Sequence, residues 1–68
     1  MSNAPIKSQI IGALRGYAGG ATASVVAREL DLSPETVVKI LDGLYVSSRV
    51  ECCLLGEGVY LYRLAPLN

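Results

Sequence analysis

The most constraining feature of this 68-residue chain is a four-residue junction near its middle, Asp31-Leu32-Ser33-Pro34. Ser is a preferred N-cap, Pro fits the first turn of a helix, and the carboxylate of Glu35 complements the positive end of the helix dipole. A helix is therefore predicted to begin at this point. Apolar residues recur at helical spacing on both sides of the junction, so the stretch from Thr22 to Tyr45 predicts two helices joined by a very short turn.

Two short helices joined in this way are typical of a helix-turn-helix unit, whose second helix usually enters the major groove of DNA. The first of the two helices is predicted to be capped by Thr22, and the second to end between Leu44 and Ser48. Their buried positions follow from the helical period of 3.6 residues. They are Val25, Val26 and Leu30 in the first helix, which face a preceding helix, and Val37, Ile40, Leu41 and Leu44 in the second.

That preceding helix, helix one, is predicted to run from about Pro5 to Tyr17 or Ala18. The pair Gly19-Gly20 ends it, because Gly readily takes the left-handed conformation that closes a helix. Gly12 and Gly16 lie inside the helix four residues apart, at a cost in helix propensity. One reason for their presence would be the close approach of another backbone.

From Arg49 onward the pattern changes to two β-prone runs separated by a turn with the sequence GEG, which predicts a β-hairpin over residues 50–64. Side chains alternate along a strand, so two rows are expected on the second run. One row contains Val59, Leu61 and Arg63, and the other contains Tyr60, Tyr62 and Leu64. The expected domain covers residues 5–65, with flexible termini at residues 1–4 and 66–68.

Residues 5–65 resemble the winged helix-turn-helix transcription regulators. The segment GGATASVVARELDLSPETVVKILDGLYVSSRVE is similar to the corresponding part of small fimbrial-operon regulators and MarR-type repressors. The resemblance implies a mainly α fold with a small β-hairpin, built on three helices. It also implies a small transcriptional regulator that binds double-stranded DNA through helix three, at about residues 34–46, and uses the hairpin as its wing.

The resemblance also implies which residues contact DNA. The positions that match the first turn and outer face of the recognition helix are Ser33, Glu35, Thr36, Lys39 and Asp42. Their hydroxyl and ammonium groups suit phosphate oxygens or base edges, and Glu35 suits a cytosine amino group. The basic residues that would frame a duplex are Arg28, Arg49 and Arg63.

The charge balance argues against DNA binding. Six basic residues are matched by six acidic ones, which gives a formal net charge of zero, whereas DNA-binding modules are usually basic. Two acidic residues, Glu35 and Asp42, lie on the face that would approach DNA. The hairpin tip, Leu54–Gly58, carries one acid and no base. Under the alternative interpretation, the basic residues are ordinary solvating charges.

The second candidate function is protein recognition without DNA binding. In layout the chain is similar to the winged-helix domain that ends the middle subunit of replication protein A, which recruits protein partners. A neutral surface with exposed apolar side chains suits such contacts. The residues predicted for this role are Val38, Asp42, Leu55 and Tyr60. A homodimer formed through helix one or through the exposed hairpin edge is a further possibility.

An enzymatic function, a cofactor and a metal site are not expected. The chain has no His, its two Cys have no neighbouring base, and no glycine-rich loop follows a strand. Cys52 and Cys53 are adjacent on a predicted strand, so their side chains point to opposite faces. One is expected in the core and one half exposed, while an intermolecular disulfide or a redox role stays open. No secretion signal or membrane span is evident, which predicts a cytoplasmic protein.

Overall fold

The computed structural model describes residues 5–66, and it contains three helices and a three-stranded antiparallel sheet. In chain order the elements are α1 (Ile6–Arg15), β1 (Ala21–Thr22), α2 (Ala23–Leu30), α3 (Pro34–Val46), β2 (Val50–Gly56) and β3 (Val59–Leu64). The sheet order is β1-β3-β2. Most of the termini expected to be flexible, residues 1–4, 67 and 68, lie outside the described range. None of the helices within residues 5–66 has the length and apolar character that crossing a bilayer requires.

The junction between α2 and α3 is built by two residues with complementary roles. Asp31 adopts the left-handed conformation (φ 56°, ψ 46°), which ends α2. The backbone N–H of Leu32 then donates to the Ala27 carbonyl at 2.9 Å. Ser33 caps α3, since its Oγ accepts from the Thr36 backbone N–H at 3.2 Å. The predicted start of this helix and its predicted end between residues 44 and 48 are both confirmed.

One apolar core holds the helices and the sheet together. Its largest fully buried side chains come from all three helices and are Ile10, Leu14, Val26, Val37, Leu41 and Leu44. The prediction was wrong for Val25, which is 39% exposed, because its neighbour Val26 is fully buried and successive residues of a helix point about 100° apart. Ile40 is half-buried and packs against the core from its margin. The remaining stripe of α3 is buried as the spacing predicts.

Helix α1 is shorter than its sequence pattern predicts. It begins at Ile6, with Pro5 in the N-cap position, and ends at Arg15 rather than at Tyr17 or Ala18. Tyr17 lies beyond the helix, and its hydroxyl donates to Glu29 Oε1 of α2 at 2.7 Å. No neighbouring atom within residues 5–66 comes within 4 Å of a Cβ placed at Gly12. The close backbone approach suggested for this glycine is therefore absent from the described chain.

The sheet contains a strand, β1, that the sequence analysis did not predict. It has only two residues, which is too short for an alternating pattern to be recognised. Ala21 pairs with Tyr62, and Thr22 pairs with Leu61. Gly20 precedes this strand with φ at +99°, and a Cβ there would lie 2.9 Å from the Tyr62 carbonyl oxygen. The contact between β1 and β3 therefore requires glycine at this position.

The predicted hairpin is confirmed. Of the two rows predicted on β3, Val59 departs from its row, since it lines the same cavity as Tyr60 and Tyr62. Cys52 pairs with Tyr62 and Leu54 pairs with Tyr60, and a bulge separates Leu54 from Gly56. The inner face of the hairpin, which packs toward the helices, carries Val50, Cys52, Leu54, Tyr60, Tyr62 and Leu64. The outer face carries Glu51, Cys53 and Arg63. The two cysteines lie on opposite faces as expected, but each is more exposed than predicted: Cys52 is half-buried against the core and Cys53 is exposed.

Replacing Gly20 with Ala is expected to destabilise the fold by about 1–2 kcal/mol or more, because the added Cβ strains a left-handed backbone and meets the neighbouring strand. Gly43→Ala is the matched control. Gly43 lies inside α3 with open space around it, so Ala is expected to stabilise by about 0.5–1 kcal/mol through helix propensity. Urea unfolding measures both changes. Equal midpoints for the two variants would contradict the role given to Gly20.

Candidate functional site

An open groove of about 760 Å³ lies between the exposed side of α3 and the inner face of the hairpin, and the start of α2 closes one end. We call it the apolar groove. It is lined by Thr22, Ala23, Ser24, Pro34, Val38, Asp42, Tyr45, Cys52, Leu54, Gly58, Val59, Tyr60 and Tyr62. Asp42 is the only one of these residues that is charged at neutral pH. The groove therefore combines an apolar wall with a single negative charge.

Helical spacing explains how α3 supplies one side of this groove. Val38, Asp42 and Tyr45 are separated by four and then three residues, so they form one stripe on the helix surface. This stripe is adjacent to the buried one and faces the hairpin. Val38 is 43% exposed, although it belongs to a residue type that is usually buried. An exposed valine in a groove of this kind is available for contact with a ligand.

Tyr62 lies at the base of the apolar groove, where its ring is buried and its side chain contributes to the lining. Burial raises the pKa of its hydroxyl above 10.0, because a phenolate loses solvation there. Negative charge on Cys52 and on Asp42 raises this pKa further. Asp42 therefore acts electrostatically on the base of the groove as well as on its rim.

The first turns of α3, residues 33–39, have a different chemistry, and we call them the polar end of α3. Glu35 and Lys39 are exposed on this surface. Ser33 is also exposed, but its Oγ lies 2.8 Å from Thr36 Oγ1, so the two hydroxyls are hydrogen-bonded to each other. Lys39 has no ion-pair partner within residues 5–66. The ammonium group is therefore free to bind an external anion.

The three arginines predicted to frame DNA are in different situations. Arg28 on α2 and Arg49 before β2 are exposed and have no ion pair within the described chain. Arg63 donates to Glu51 Oε1 from Nε at 3.0 Å and from Nη2 at 2.5 Å. It lies on the outer face of the hairpin, away from the apolar groove. Its charge is offset by Glu51, so it adds little to a positive surface near α3.

The structure brings together three of the four residues predicted for protein contact. Val38, Asp42 and Tyr60 line the apolar groove, whereas Leu55 lies at the bulge and Leu54 takes its place. Tyr45 and Val59 also line the groove but were not singled out from the sequence. Tyr45 could have been predicted from the sequence, because its helical spacing places it on the same stripe of α3 as Val38. Val59 has no comparable signal, because strand alternation assigns it to the row opposite Tyr60 and Tyr62.

Within residues 5–66 no three side chains of the types His, Cys, Asp and Glu come together as a metal site would require. Comparison of the chain with protein-family models, with curated proteins and with solved structures finds no match. The proposal for function therefore rests on the exposed residues of α3 and the hairpin.

Replacing Tyr62 with Phe is expected to flatten the loss of stability at alkaline pH. The folded-state pKa of Tyr62 is raised, so its neutral hydroxyl contributes fully to the free energy of unfolding below about pH 10. That contribution is lost as the pH rises through the folded-state pKa. Unfolding free energies measured by urea titration across this pH range test the expectation. A phenolate absorbance titration should also lose one late-ionising group in this variant.

Tyr17→Phe is the companion variant. The hydrogen bond to Glu29 raises the pKa of the Tyr17 hydroxyl, and this group is exposed. The variant should therefore lose a different late-ionising phenol while keeping that of Tyr62. If the unfolding free energy of Tyr62→Phe falls with rising pH as steeply as that of the wild type, burial of the Tyr62 hydroxyl is not a source of the alkaline instability.

Proposed function

We propose that this chain is a small winged helix-turn-helix regulator that binds double-stranded DNA through α3, with the β2–β3 hairpin beside the sugar-phosphate backbone. The observation that carries the proposal is the tight junction at Asp31 and Ser33, followed by a 13-residue helix with an exposed polar end. A helix of this length spans about 20 Å. That is long enough to enter a major groove about 12 Å wide.

The polar end of α3 is the part that suits DNA. Lys39 offers an unpaired ammonium group to a phosphate or a guanine edge, and Glu35 can accept from a cytosine amino group. Farther along the helix, Asp42, Tyr45 and Val46 offer neither positive charge nor an amide donor. We therefore expect the first turns of the helix to contact the base edges, as the N-terminal residues of recognition helices do.

The number of free cations limits the strength of DNA binding. Arg28, Lys39 and Arg49 have no partner within residues 5–66, and Arg63 is paired with Glu51. If three phosphates are neutralised per copy, the slope of log K against log salt is about −3. Binding by one copy is then modest and less sensitive to salt than that of strongly basic modules.

Replacing Lys39 with Ala is expected to weaken binding to all duplexes and to flatten the salt slope by about 1, because one phosphate contact is lost. Fluorescence anisotropy of labelled duplexes at several salt concentrations measures both quantities. Lys7→Ala is the matched control. Lys7 is exposed on α1, away from the junction, and its removal should leave the slope unchanged.

Two results would contradict DNA binding by α3. One is the absence of duplex binding by the wild type at low salt, where electrostatic attraction is strongest. The other is an equal effect of the two lysine substitutions, since that outcome would mean attraction by overall charge and no contact by α3.

The apolar groove favours a second candidate function, the recognition of a peptide segment. The side chains that line it are mostly apolar and none of them is basic. Asp42 has no ion-pair partner within the described chain. The complementary ligand is an apolar segment that carries one Lys or Arg opposite Asp42. Such a ligand would bury the exposed surfaces of Val38 and Tyr60, and its basic group would pair with the Asp42 carboxylate that the contact removes from water.

Val38→Asp is expected to reduce binding of such peptides by tenfold or more, about 1.4 kcal/mol, because it places a charge in the apolar contact. The probe is a panel of display-selected apolar peptides with one Arg, measured by calorimetry. Val25→Asp is the control, since Val25 is similarly exposed but lies outside the groove. Unchanged peptide affinity in Val38→Asp would eliminate the groove as the contact site.

A further inference from the structure

The aromatic side chains of this protein are concentrated around the apolar groove. The chain contains four tyrosines and no Phe or Trp. Three of the four, Tyr45, Tyr60 and Tyr62, line the groove, whereas Tyr17 lies beyond α1 and donates to Glu29. Tyr62 is buried, but Tyr45 is 52% and Tyr60 is 46% exposed. Core packing therefore does not account for the two outer rings.

The backbone explains why three rings reach one groove. Tyr60 and Tyr62 are two residues apart on β3, so their side chains leave the same face of the sheet from Cα atoms about 7 Å apart. Tyr45 follows Asp42 by three residues on α3, so these two side chains are neighbours on the helix surface. The groove lies between β3 and α3. Rings from both walls are therefore available to one ligand.

Asp42 gives this aromatic surface a negative charge. It is the only lining residue that is charged at neutral pH, and it has no ion-pair partner within residues 5–66. Burial is the largest cause of the raised pKa of the Tyr62 hydroxyl, and the negative charge of Asp42 adds to it. The carboxylate of α3 is therefore close enough to act on the ring at the base of the groove.

We propose that the apolar groove binds a small organic cation, an alkylated ammonium group on an apolar body, with the cation beside Asp42 and among the three tyrosine rings. The face of an aromatic ring is negative and attracts such cations, and the carboxylate supplies the matching full charge. The groove volume of about 760 Å³ is within the range usual for small-molecule sites. Binding of this kind requires neither DNA nor a peptide partner.

Charge complementarity selects this class of ligand over others. A neutral apolar ligand would remove the Asp42 carboxylate from water without giving it a partner, which is unfavourable. A primary ammonium would pair with the carboxylate but would lose a strongly held hydration shell against largely apolar walls. An alkylated ammonium keeps the positive charge, and its alkyl groups can pack against Val38 and Leu54. The groove therefore suits a cation with an apolar surface.

The first test is an NMR titration of the full chain with benzyltrimethylammonium at constant ionic strength. A ligand of about ten non-hydrogen atoms in an open groove is expected to bind with a dissociation constant on the order of 1 mM. Saturable shifts should appear at Val38, Asp42 and Tyr60. Benzyl alcohol, which carries a ring but no charge, should bind at least about fivefold more weakly. No saturable shift up to about 20 mM, or equal affinity for the alcohol, would overturn the proposal.

The second test uses variants of the charge and of one ring. Asp42→Asn should lower the affinity for benzyltrimethylammonium by about threefold. Asp31→Asn is the matched control, since Asp31 is exposed at the end of α2, lies outside the groove, and has a left-handed backbone that Asn accepts. Tyr60→Leu should lower the affinity by about two- to fivefold, whereas Tyr60→Phe keeps the ring face and should retain it. Equal effects within either pair of variants would overturn the proposal.

These titrations contain no DNA and no peptide, so their results are independent of both candidate functions. Saturable binding of the free cation at the groove supports the proposal whether or not the chain binds a duplex. Binding of the Arg-containing peptides without binding of benzyltrimethylammonium would retain peptide recognition and would overturn the small-cation site.

Discussion

The structure depends on the position of β3 between two strands that come from opposite ends of the chain. Its pairing with β1 fixes the entrance to α2, and its pairing with β2 fixes the hairpin after α3. Tyr62 lies at the centre of both contacts and contributes to the core. Gly20 permits the approach, because any side chain there would meet the backbone of β3. The hairpin is thereby held at a defined position against α3, and this position creates the apolar groove.

Helix α3 therefore presents two surfaces with different chemistry. Its polar end offers Lys39 and Glu35, which suits a nucleic acid, and its remaining exposed stripe offers Val38 and Tyr45, which suits an apolar ligand. The two surfaces share the first turns of α3 but follow different lines along it, since Glu35 and Lys39 are four residues apart on one line and Val38, Asp42 and Tyr45 lie on another. For both proposed contacts of α3, the local distribution of charge therefore matters more than the formal net charge of the chain.

Much of the fold could be predicted because its signals are local. The caps at Thr22 and Ser33, the helical stripe of α3 and the alternating runs of the hairpin each depend on neighbouring residues. The errors concern features that depend on distant ones. Helix α1 ends early while Tyr17 bonds to Glu29, and β1 exists only because β3 is beside it. Among the candidate contact residues, Arg63 stays a predicted DNA contact, and only the structure shows that its cross-strand neighbour Glu51 is paired with it.

The sequence by itself determined the order of the three helices and the hairpin, the junction at Asp31 and Ser33, and most of the side chains that form the core. These follow from backbone preferences and from the periods of helix and strand, which act over a few residues. Only the tertiary structure decided that Val38, Asp42 and Tyr60 line one groove, that Leu54 replaces Leu55 there, and that one edge of β2 stays open. Such features require strands and helices to meet across many residues, and the bulge and sheet order that set them leave no periodic signal in the chain.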